Sequence, residues 1–380
     1  MRKSHLNWVE LSRNNLLHNI STIRNLIGVK RKLMAVVKSN AYGHGIIETA
    51  NICLKGDIDW FGVNSVEEGI LLRENNITLP ILILGYVALH DLENAAHHNL
   101  QMTVYNIQTT RKLDELGKIL KKEIPIHIKI ETGTNRQGIH GKHLFKLLDF
   151  INRSSSIKLE GISMHFANIE DTTDHSYAQV QLDTFRKIDK EFFANRSTLI
   201  RHAACTAAIL LFKETYFEMV RGGIGIYGLW PSKQTKLSCS MKDENIPELK
   251  PVLTWKTKIA QIKIVPDGSY ISYGCTYRTT RDSKIAVLPV GYYDGYVRAF
   301  SNISHVLIKG KRAPIRGRVC MNIILADVTD IKNVQLEDEV VLLGKQRDEE
   351  ITADYLANLA GTINYEIVTN INPSLERKIV

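Results

Sequence analysis

The sequence predicts an α/β protein: an N-terminal (β/α)8 TIM-type barrel followed by a C-terminal domain made mainly of β-strands. Short apolar runs rich in β-branched residues recur eight times between residues 32 and 228, and helical periodicity fills the segments between them. After residue 231 a period of two takes over. The 380 residues exceed the usual length of one domain, so we expect two, over residues 1–240 and 241–380.

The eight apolar runs are the expected barrel strands. In chain order they are LMAVVK (33–38), DWFGVN (59–64), PILILGY (80–86), MTVYN (102–106), PIHIKIE (125–131), LEGISMH (159–165), TLIRHAA (198–204) and MVRGGIGIYG (219–228). The segments between them include SVEEGILLREN, TTRKLDELGKILKK and YAQVQLDTFRKIDKEFF. Near-continuous apolar strands joined by helices indicate parallel pairing buried on both faces, and eight such units close a barrel.

The chain changes character after Pro231. PSKQTKLSCSMKDENIPELKP (231–251) is polar and indicates a linker, whereas LTWKTKIAQIKIV (253–265) alternates with a period of two. The turn-forming sequences DGSY, YYDG, KGKRAP and LGKQ then separate short predicted strands, and TADYLANLAGT (352–362) indicates one helix near the end.

Composition excludes several classes of protein. The formal net charge of +9 is spread along the chain rather than gathered in basic patches, so we expect no nucleic-acid partner. Five cysteines at irregular spacing without a CxxC motif predict neither a disulfide framework nor a metal site, and they favour the cytoplasm. No segment has the run of about 18 apolar residues that a membrane span needs.

Polar residues at the carboxyl ends of the predicted barrel strands are the candidate functional groups, because active sites of such barrels lie at that face. They are Lys38, Tyr42 and His44 after strand one, Lys129 to Arg136 after strand five, His165 after strand six, Cys205 and Thr206 after strand seven, and Arg221 on strand eight. We expect all of them to face one cavity.

Lys38 ends an otherwise apolar strand. A buried amine has a lowered pKa, which an aldehyde cofactor needs in order to form a Schiff base. From position alone, the favoured interpretation is a strand-end lysine whose amine reaches solvent. The glycine-rich turn Arg221–Gly225 follows strand eight, where barrels often bind phosphate, although such a turn is weak evidence by itself.

Taken together, these residues resemble a known family. AVVKSNAYGHG (35–45) is similar to the pyridoxal 5′-phosphate attachment motif of alanine racemases. Further matches follow the family's order along nearly the whole chain: WVELSRNNLLHN, GVNSVEEGILLRENNITLPILILG, KIETGTNRQGI, MHFANIED, VRGGIGIYG, SYGCTYR, LPVGYYDGYVR, GRVCMN and GTINYE. The resemblance implies a pyridoxal phosphate enzyme of fold type III that works as a homodimer with shared active sites.

The resemblance also implies roles for individual residues. Lys38 would bind the cofactor covalently and act as the base on one face of the substrate Cα, and Tyr273 of the partner subunit would act on the opposite face. His165 and Arg221 would support Tyr273, with positive charge from His165 beside Arg221 favouring its phenolate, and Arg221 would face the pyridine nitrogen. The residues implied for the cofactor phosphate are Tyr42, Thr206, the Gly223 and Ile224 amides, and Tyr365.

Substrate binding follows from the same resemblance. Arg136 would contact the cofactor's phenolic oxygen and the substrate carboxylate, and the amide of Met321 would donate to that carboxylate across the dimer interface. Tyr292, Tyr365 and Ile363 match residues that narrow the family's entrance and favour a methyl side chain. Asn322 stands where the family has aspartate, which removes a charge beside the carboxylate site.

Lys129 lies beside Arg136 by the same match. Repulsion between two cations lowers the pKa of an amine, and a neutral Lys129 could take up CO₂ as a carbamate whose negative charge holds Arg136. The alternative is an ion pair with Glu131, which stands where the family usually has aspartate and shares the strand face of Lys129.

The leading hypothesis is a cytoplasmic racemase that supplies D-alanine for peptidoglycan. Alternatives are a racemase for serine or a broader set of amino acids, a non-catalytic pyridoxal phosphate-binding protein, and a barrel decarboxylase. The pyridoxal phosphate-binding protein lacks a domain bearing Tyr273, and the decarboxylase would place an acidic residue where this chain has Arg221.

Overall fold

The structure is a computed structural model that describes residues 6–242 and 246–380. Packing divides the chain into two units. Among the described residues, one contains residues 15–41, 49–242 and 246–250, and the other contains residues 6–14, 42–48 and 251–380. The boundary expected after residue 240 lies inside a helix, Lys233–Lys242.

Within the described residues, the first unit contains an eight-stranded parallel sheet that confirms the predicted barrel. Its strands are Lys32–Val36, Trp60–Val63, Ile81–Ile83, Gln101–Val104, Ile124–Lys129, Ile157–Ser163, Ile200–His202 and Met219–Gly222. Neighbours in sequence pair in parallel, and the last strand pairs with the first. The amide of Arg221 donates to the carbonyl of Ala204 at 3.0 Å and so links the last strand to the end of the seventh.

Helices alternate with these strands, as expected for βα units. Their bounds are Arg13–Ile27, Ile46–Cys53, Val66–Glu74, Leu92–His97, Ile107–Leu120, Gly141–Arg153, Ser176–Phe192, Thr206–Leu211 and Lys233–Lys242. Polar caps mark some of the starts: the Ser65 side chain accepts from the Glu68 amide, and the Asn106 side chain accepts from the Thr109 amide. These helices place the loops that follow the strands at one face of the barrel.

The second unit is built mainly of β-strands, again as predicted. A seven-stranded sheet contains Asn7–Leu11, Leu253–Lys258, His305–Ile308, Lys311–Pro314, Glu339–Gln346, Glu349–Ile351 and Glu376–Ile379 within the described residues. A three-stranded sheet contains Gln261–Val265, Ser283–Leu288 and Ile324–Asp327. Two helices, Ala353–Ala360 and Asn364–Thr369, precede the final strand.

The sequence prediction of a linker over residues 231–251 is wrong in part. The segment expected as a linker contains helix Lys233–Lys242, whose buried Thr235, Ser238 and Cys239 give it one packed face. Residues 243–245 of that segment lie outside the described residues. The alternating run 253–265 is β-structure as predicted, and Ile259 and Ala260 separate its two strands, which belong to different sheets.

No helix in residues 6–242 or 246–380 combines the length and apolar character needed to cross a membrane. Over the same residues, no group of three or more His, Cys, Asp or Glu side chains has an arrangement that could bind a metal ion.

Candidate active site

Lys38 lies just beyond the first barrel strand, which ends at Val36 rather than at the lysine itself. The four residues after it, Ser39 to Tyr42, all have φ between 52° and 55°, so the chain makes a left-handed turn without glycine. Left-handed geometry costs an L-residue roughly 1–2 kcal/mol. The amide of Ala41 donates to the carbonyl of Val37 at 2.8 Å and closes the turn.

The environment of Lys38 favours the neutral amine. Burial lowers its pKa most, the positive charge of Arg136 lowers it further, the carboxylate of Glu68 raises it, and Arg221 lowers it again. The first unit, which contains the barrel, thus brings three predicted site residues close enough to influence one another: Lys38, Arg136 and Arg221. A neutral lysine amine is a nucleophile and a base, so burial prepares Lys38 for both roles.

Arg221 is buried and held by carbonyl oxygens. Its NH2 atom donates to the carbonyls of Met164 at 2.9 Å and Ala203 at 2.8 Å, and NH1 donates to the carbonyl of His202 at 2.7 Å. These acceptors follow two neighbouring barrel strands. Backbone carbonyl oxygens therefore hold the guanidinium in position.

A buried chain of side chains extends from Arg221 into the barrel. NH1 of Arg221 donates to Nδ1 of His202, Nε2 of His202 lies 2.9 Å from Nδ1 of His127, and Nε2 of His127 lies 3.0 Å from Oε1 of Gln101. Arginine only donates, so Nδ1 of His202 accepts and its proton is on Nε2. Nε2 of His202 then donates to Nδ1 of His127, and Nε2 of His127 donates to Oε1 of Gln101. Burial lowers the pKa of both histidines, to about 3 for His127.

His165 lies beside Arg221, with Nδ1 of the imidazole 3.4 Å from NH2 of the guanidinium. The prediction that His165 supplies positive charge to favour the Tyr273 phenolate is wrong. Burial first, and then the charges of Lys129 and Arg221, hold the pKa of His165 well below its usual value. The imidazole is neutral at pH 7, so Arg221 carries the positive charge at this position.

Lys129 ends the fifth barrel strand and its amine also favours the neutral form. Burial lowers its pKa most, followed by the charges of Arg221 and Arg136. In the part of the chain that the structure describes, no ion pair joins Lys129 to Glu131. The carboxylate of Glu131 nevertheless raises the pKa of Lys129, so the Lys129–Glu131 pair stays an alternative prediction to the carbamate.

Glu131 instead stabilises the loop that follows it. Its Oε1 atom accepts from the amide of Gly133 at 2.6 Å. Burial raises the pKa of Glu131, but the backbone amides of Asn135, Gly133 and their neighbours outweigh burial and keep it low. The carboxylate is thus committed to the turn that leads to Arg136.

Gln181 ties this loop to the one after the next strand. The side chain is completely buried, its Nε2 atom lies 3.3 Å from the hydroxyls of Thr132 and Thr134, and its Oε1 atom accepts from the amide of Ala167 at 2.8 Å. Nε2 also reaches the carbonyl of His165 at 3.3 Å. Arg136 itself is exposed, so its head group is available to a ligand while the loop beneath it is held.

Thr206 and the glycine-rich turn form a second compact group in the barrel unit. The Thr206 hydroxyl accepts from the amides of Gly223 at 3.1 Å and Gly225 at 3.3 Å. A Cβ at Gly225 would lie 2.6 Å from the Thr206 methyl carbon, so only glycine fits there. Ile224 begins a short 3₁₀ turn, Ile224–Tyr227. Amides and a hydroxyl gathered at one turn are donors suited to a phosphate.

Two other candidates near strand ends have ordinary surroundings. The buried His44 belongs to the second unit, and its Nδ1 lies 2.9 Å from the carbonyl of Tyr42. The Cys205 sulfur lies 3.8 Å from Oε1 of Glu170, and burial raises the pKa of the thiol to about 11. The Cys205 thiol is therefore not prepared as a nucleophile at neutral pH.

The second unit contains the remaining predicted residues in two groups. The rings of Tyr42 and Tyr365 lie 6.1 Å apart between centroids. Tyr273 is 73% exposed in a tight turn whose Ser272 hydroxyl donates to the carbonyl of Arg318. The Ser272 hydroxyl also lies 3.5 Å from the Cys320 sulfur, so the segments carrying Tyr273 and Met321 are neighbours.

Backbone packing places Tyr292 next to Met321. The amides of Tyr292 and Tyr293 donate to the carbonyls of Cys320 and Met321, both at 3.0 Å. A Cβ at Gly291 would lie 2.2 Å from the carbonyl oxygen of Cys320, which explains the glycine. Tyr273, Tyr292 and Met321 are all exposed large side chains, as are Asn322 and Ile363 at their own positions.

Sequence reasoning missed Glu68, Gln181 and the chain of buried histidines. Ser65 and Glu68 have the spacing of a capping box, which is a sequence signal for Glu68. The structure differs from the simple motif, because Oε2 of Glu68 accepts from the amide of Asn64 at 2.7 Å. His127 lies between two isoleucines on a barrel strand and His202 ends another, so neither position differs in pattern from an ordinary strand residue.

Comparison with known proteins agrees with this arrangement of a barrel unit and a β unit. A family model described as alanine racemase, N-terminal domain, matches residues 11–231. A second, alanine racemase, C-terminal domain, matches residues 252–379. The fold and these matches define an isomerase with two structural units. More narrowly, the chain belongs to the alanine racemase family.

Similar proteins span nearly the whole chain. Alanine racemase of Leptospira interrogans is 38% identical over 100% of this chain and 97% of its own length, and that of Halothermothrix orenii is 41% identical over 98% and 96%. An alanine racemase structure from Clostridium difficile 630 has a TM-score of 0.93 at 34% identity, covering 100% and 97% of the two chains. A Bacillus anthracis alanine racemase structure with bound L-Ala-P has a TM-score of 0.92 at 33% identity, covering 100% and 96%.

Proposed function

We propose that this enzyme interconverts L-alanine and D-alanine with pyridoxal phosphate, as a homodimer in the cytoplasm, and supplies D-alanine for peptidoglycan. Family membership supports the substrate, and the observation that carries the chemistry is the lowered pKa of the Lys38 amine beside Arg136 and Arg221. A neutral amine is the form that attacks an aldehyde and accepts a proton.

The residues of the barrel unit fit pyridoxal phosphate. At the glycine-rich turn the Thr206 hydroxyl accepts from the Gly223 amide, which leaves the proton of that hydroxyl to donate to a phosphate oxygen. We assign phosphate binding to Thr206 and to the amides of Gly223 and Ile224, and covalent attachment to Lys38. Tyr42 and Tyr365 stay predicted phosphate ligands on the resemblance alone. When bound, the cofactor withdraws electrons from the substrate Cα and makes its proton more acidic.

Arg221 would present only N–H donors to the pyridine nitrogen, which therefore stays unprotonated. The carbonyls of Met164 and Ala203 fix the orientation of this guanidinium. Weaker electron withdrawal favours proton exchange at Cα over side reactions that need a longer-lived carbanion. This is the outcome that a racemase requires.

Racemisation needs a base on each face of Cα, because one group cannot both remove a proton from one face and deliver it to the other without moving around the substrate. We assign one face to Lys38 and the other to Tyr273 of the partner subunit. The exposure of Tyr273 supports this assignment, since a side chain that serves a second subunit must project from its own. Positive charge to favour its phenolate would come from Arg221, because His165 is neutral.

Arg136 and the Met321 amide are the proposed ligands of the substrate carboxylate. Arg136 is exposed on a loop held by Glu131 and Gln181, so it can meet an anion. Tyr292, next to Met321, offers a bulky ring that favours the methyl side chain of alanine. Asn322 in place of aspartate favours the second candidate, a racemase that also accepts serine, because a charge near the carboxylate site is missing.

Cofactor attachment can be tested by borohydride reduction. The purified enzyme should retain the cofactor covalently on the peptide that contains Lys38 after reduction, and Lys38→Ala should retain none. A reduced adduct on another lysine, or an adduct in Lys38→Ala, would contradict the assignment. Lys146, an exposed lysine of helix Gly141–Arg153, provides a control: Lys146→Ala should keep the Lys38 adduct.

Substrate choice can be tested with a panel of L-amino acids and chiral chromatography of the products. We expect alanine to give the highest kcat/KM. A higher value for serine would support the second candidate, and racemisation of none of them by enzyme that carries the cofactor would contradict the proposed function.

A further inference from the structure

The left-handed turn after Lys38 needs support from outside itself. None of Ser39, Asn40, Ala41 or Tyr42 is glycine, yet all four have positive φ. The closing hydrogen bond from Ala41 to Val37 uses only one amide of the turn. The amide of Ser39, which immediately follows the lysine, donates to a side chain from another βα unit.

That side chain is Glu68, on the first turn of helix Val66–Glu74. Its Oε1 atom accepts from the amide of Ser39 at 2.6 Å, and its Oε2 atom accepts from the amide of Asn64 at 2.7 Å. One carboxylate thus joins the segments that follow two neighbouring barrel strands. Both contacts are charge-assisted hydrogen bonds, which are about twice as strong as neutral ones.

Glu68 also differs in charge from the other groups that act on Lys38. Arg136 and Arg221 lower the pKa of the amine, whereas Glu68 raises it. The same carboxylate therefore affects both the backbone of Lys38 and the balance of charge around its amine.

We propose that Glu68 is a positioning residue for Lys38: its carboxylate holds the turn that carries the lysine and sets the charge balance of the amine. The inference rests on the proposed function insofar as Lys38 is the attachment lysine and a base. Glu68 acts through Lys38 and is not itself assigned to contact the substrate.

Two variants separate the two effects of this carboxylate. Glu68→Gln keeps the length of the side chain but removes the charge, and it leaves one oxygen for two amides. Glu68→Asp keeps the charge but is too short to span both amides. Glu67→Gln is the matched control, because Glu67 is the neighbouring, exposed carboxylate in the same first helical turn.

The direct measurement is the pH dependence of reductive methylation at Lys38. Bound aldehyde is first removed from the full chain with hydroxylamine. Methylation is then measured by mass spectrometry of the peptide that contains Lys38. Loss of the anion disfavours the protonated amine, so Glu68→Gln should shift the midpoint down by about one pH unit. Glu67→Gln should match the wild type. A Glu68→Gln midpoint equal to that of Glu67→Gln would overturn the electrostatic part of the proposal.

Glu68→Asp tests the geometric part and serves also if Glu68→Gln fails to fold. Its methylation midpoint should stay near the wild-type value, while misplacement of Lys38 should lower kcat for alanine by about tenfold. A wild-type kcat in Glu68→Asp would overturn the positioning role. Methylation needs neither cofactor nor amino acid, so it reports on Glu68 even if the borohydride test of wild-type enzyme contradicts the proposed function.

Discussion

Arg221 donates a hydrogen bond of 2.9 Å from NH1 to Nδ1 of His202 in the interior of the barrel. This contact decides the tautomer of His202 and, through it, that of His127. The orientation of the guanidinium thus depends on side chains that lie beyond its immediate surroundings, as far as Gln101.

Replacing His202 tests this dependence. His202→Phe keeps a buried ring and the backbone acceptor of NH1, but it leaves one N–H of the Arg221 NH1 group and Nδ1 of His127 without their side-chain partner, so the free energy of unfolding should fall by about 2–3 kcal/mol. Urea unfolding measures the change, with the exposed His90→Phe as the control. A loss no larger than that of His90→Phe would contradict the importance of the chain.

Buried neutral histidine makes stability depend on pH. The pKa of His127 is about 3 in the folded chain, below its usual value of 6.5. Between these two values the unfolded chain binds more protons, so stability is full above pH 6.5 and falls as the pH drops through that range. From pH 7 to pH 5, His127 alone should reduce the free energy of unfolding by about 2 kcal/mol.

Urea unfolding at pH 7 and pH 5 measures this loss. His127→Gln removes the titrating ring and should make the decrease smaller by about the same 2 kcal/mol. An equal decrease in wild type and His127→Gln would show that His127 does not titrate as the structure indicates.

Carbamylation of Lys129 stays a prediction. The amine attacks CO₂, a new N–C bond forms, and one proton leaves to solvent, which gives an anion near Arg136. The lowered pKa of Lys129 favours the neutral amine that this reaction needs, and Glu131 is occupied by its loop. In ¹³C-bicarbonate buffer, we expect a protein-bound carbamate signal in the NMR spectrum that Lys129→Ala lacks and Lys146→Ala retains. A spectrum without that signal in the wild type would contradict the carbamate.

Periodicity was sufficient for the barrel because each of its strands pairs with neighbours in sequence. Lys32–Val36 and Trp60–Val63, for example, are apolar, buried and joined by a helical segment. The pairing of Asn7–Leu11 with Leu253–Lys258 and Glu376–Ile379 could not be predicted in this way. Nothing in a local pattern identifies a partner more than 240 residues away.

The candidate active site was likewise predictable only where the sequence signals are local. Lys38, Arg136 and Arg221 could be selected from strand ends and motifs, because those signals are local. The charge of His165 could not, because its pKa depends on burial and on cations from other strands. Likewise, the commitment of Glu131 to the amide of Gly133 depends on loop geometry that residue types do not specify.

The central claim is that each active site combines Lys38 of one subunit with Tyr273 of the other. The most direct test mixes Lys38→Ala and Tyr273→Phe dimers, each inactive alone, under conditions where exchange of differently tagged subunits is demonstrated. A heterodimer then has one site with both Lys38 and Tyr273, so an equal mixture should regain about a quarter of wild-type alanine racemisation. If both bases came from the same subunit, no heterodimer site would be complete. Absence of recovered activity despite demonstrated exchange would contradict the claim.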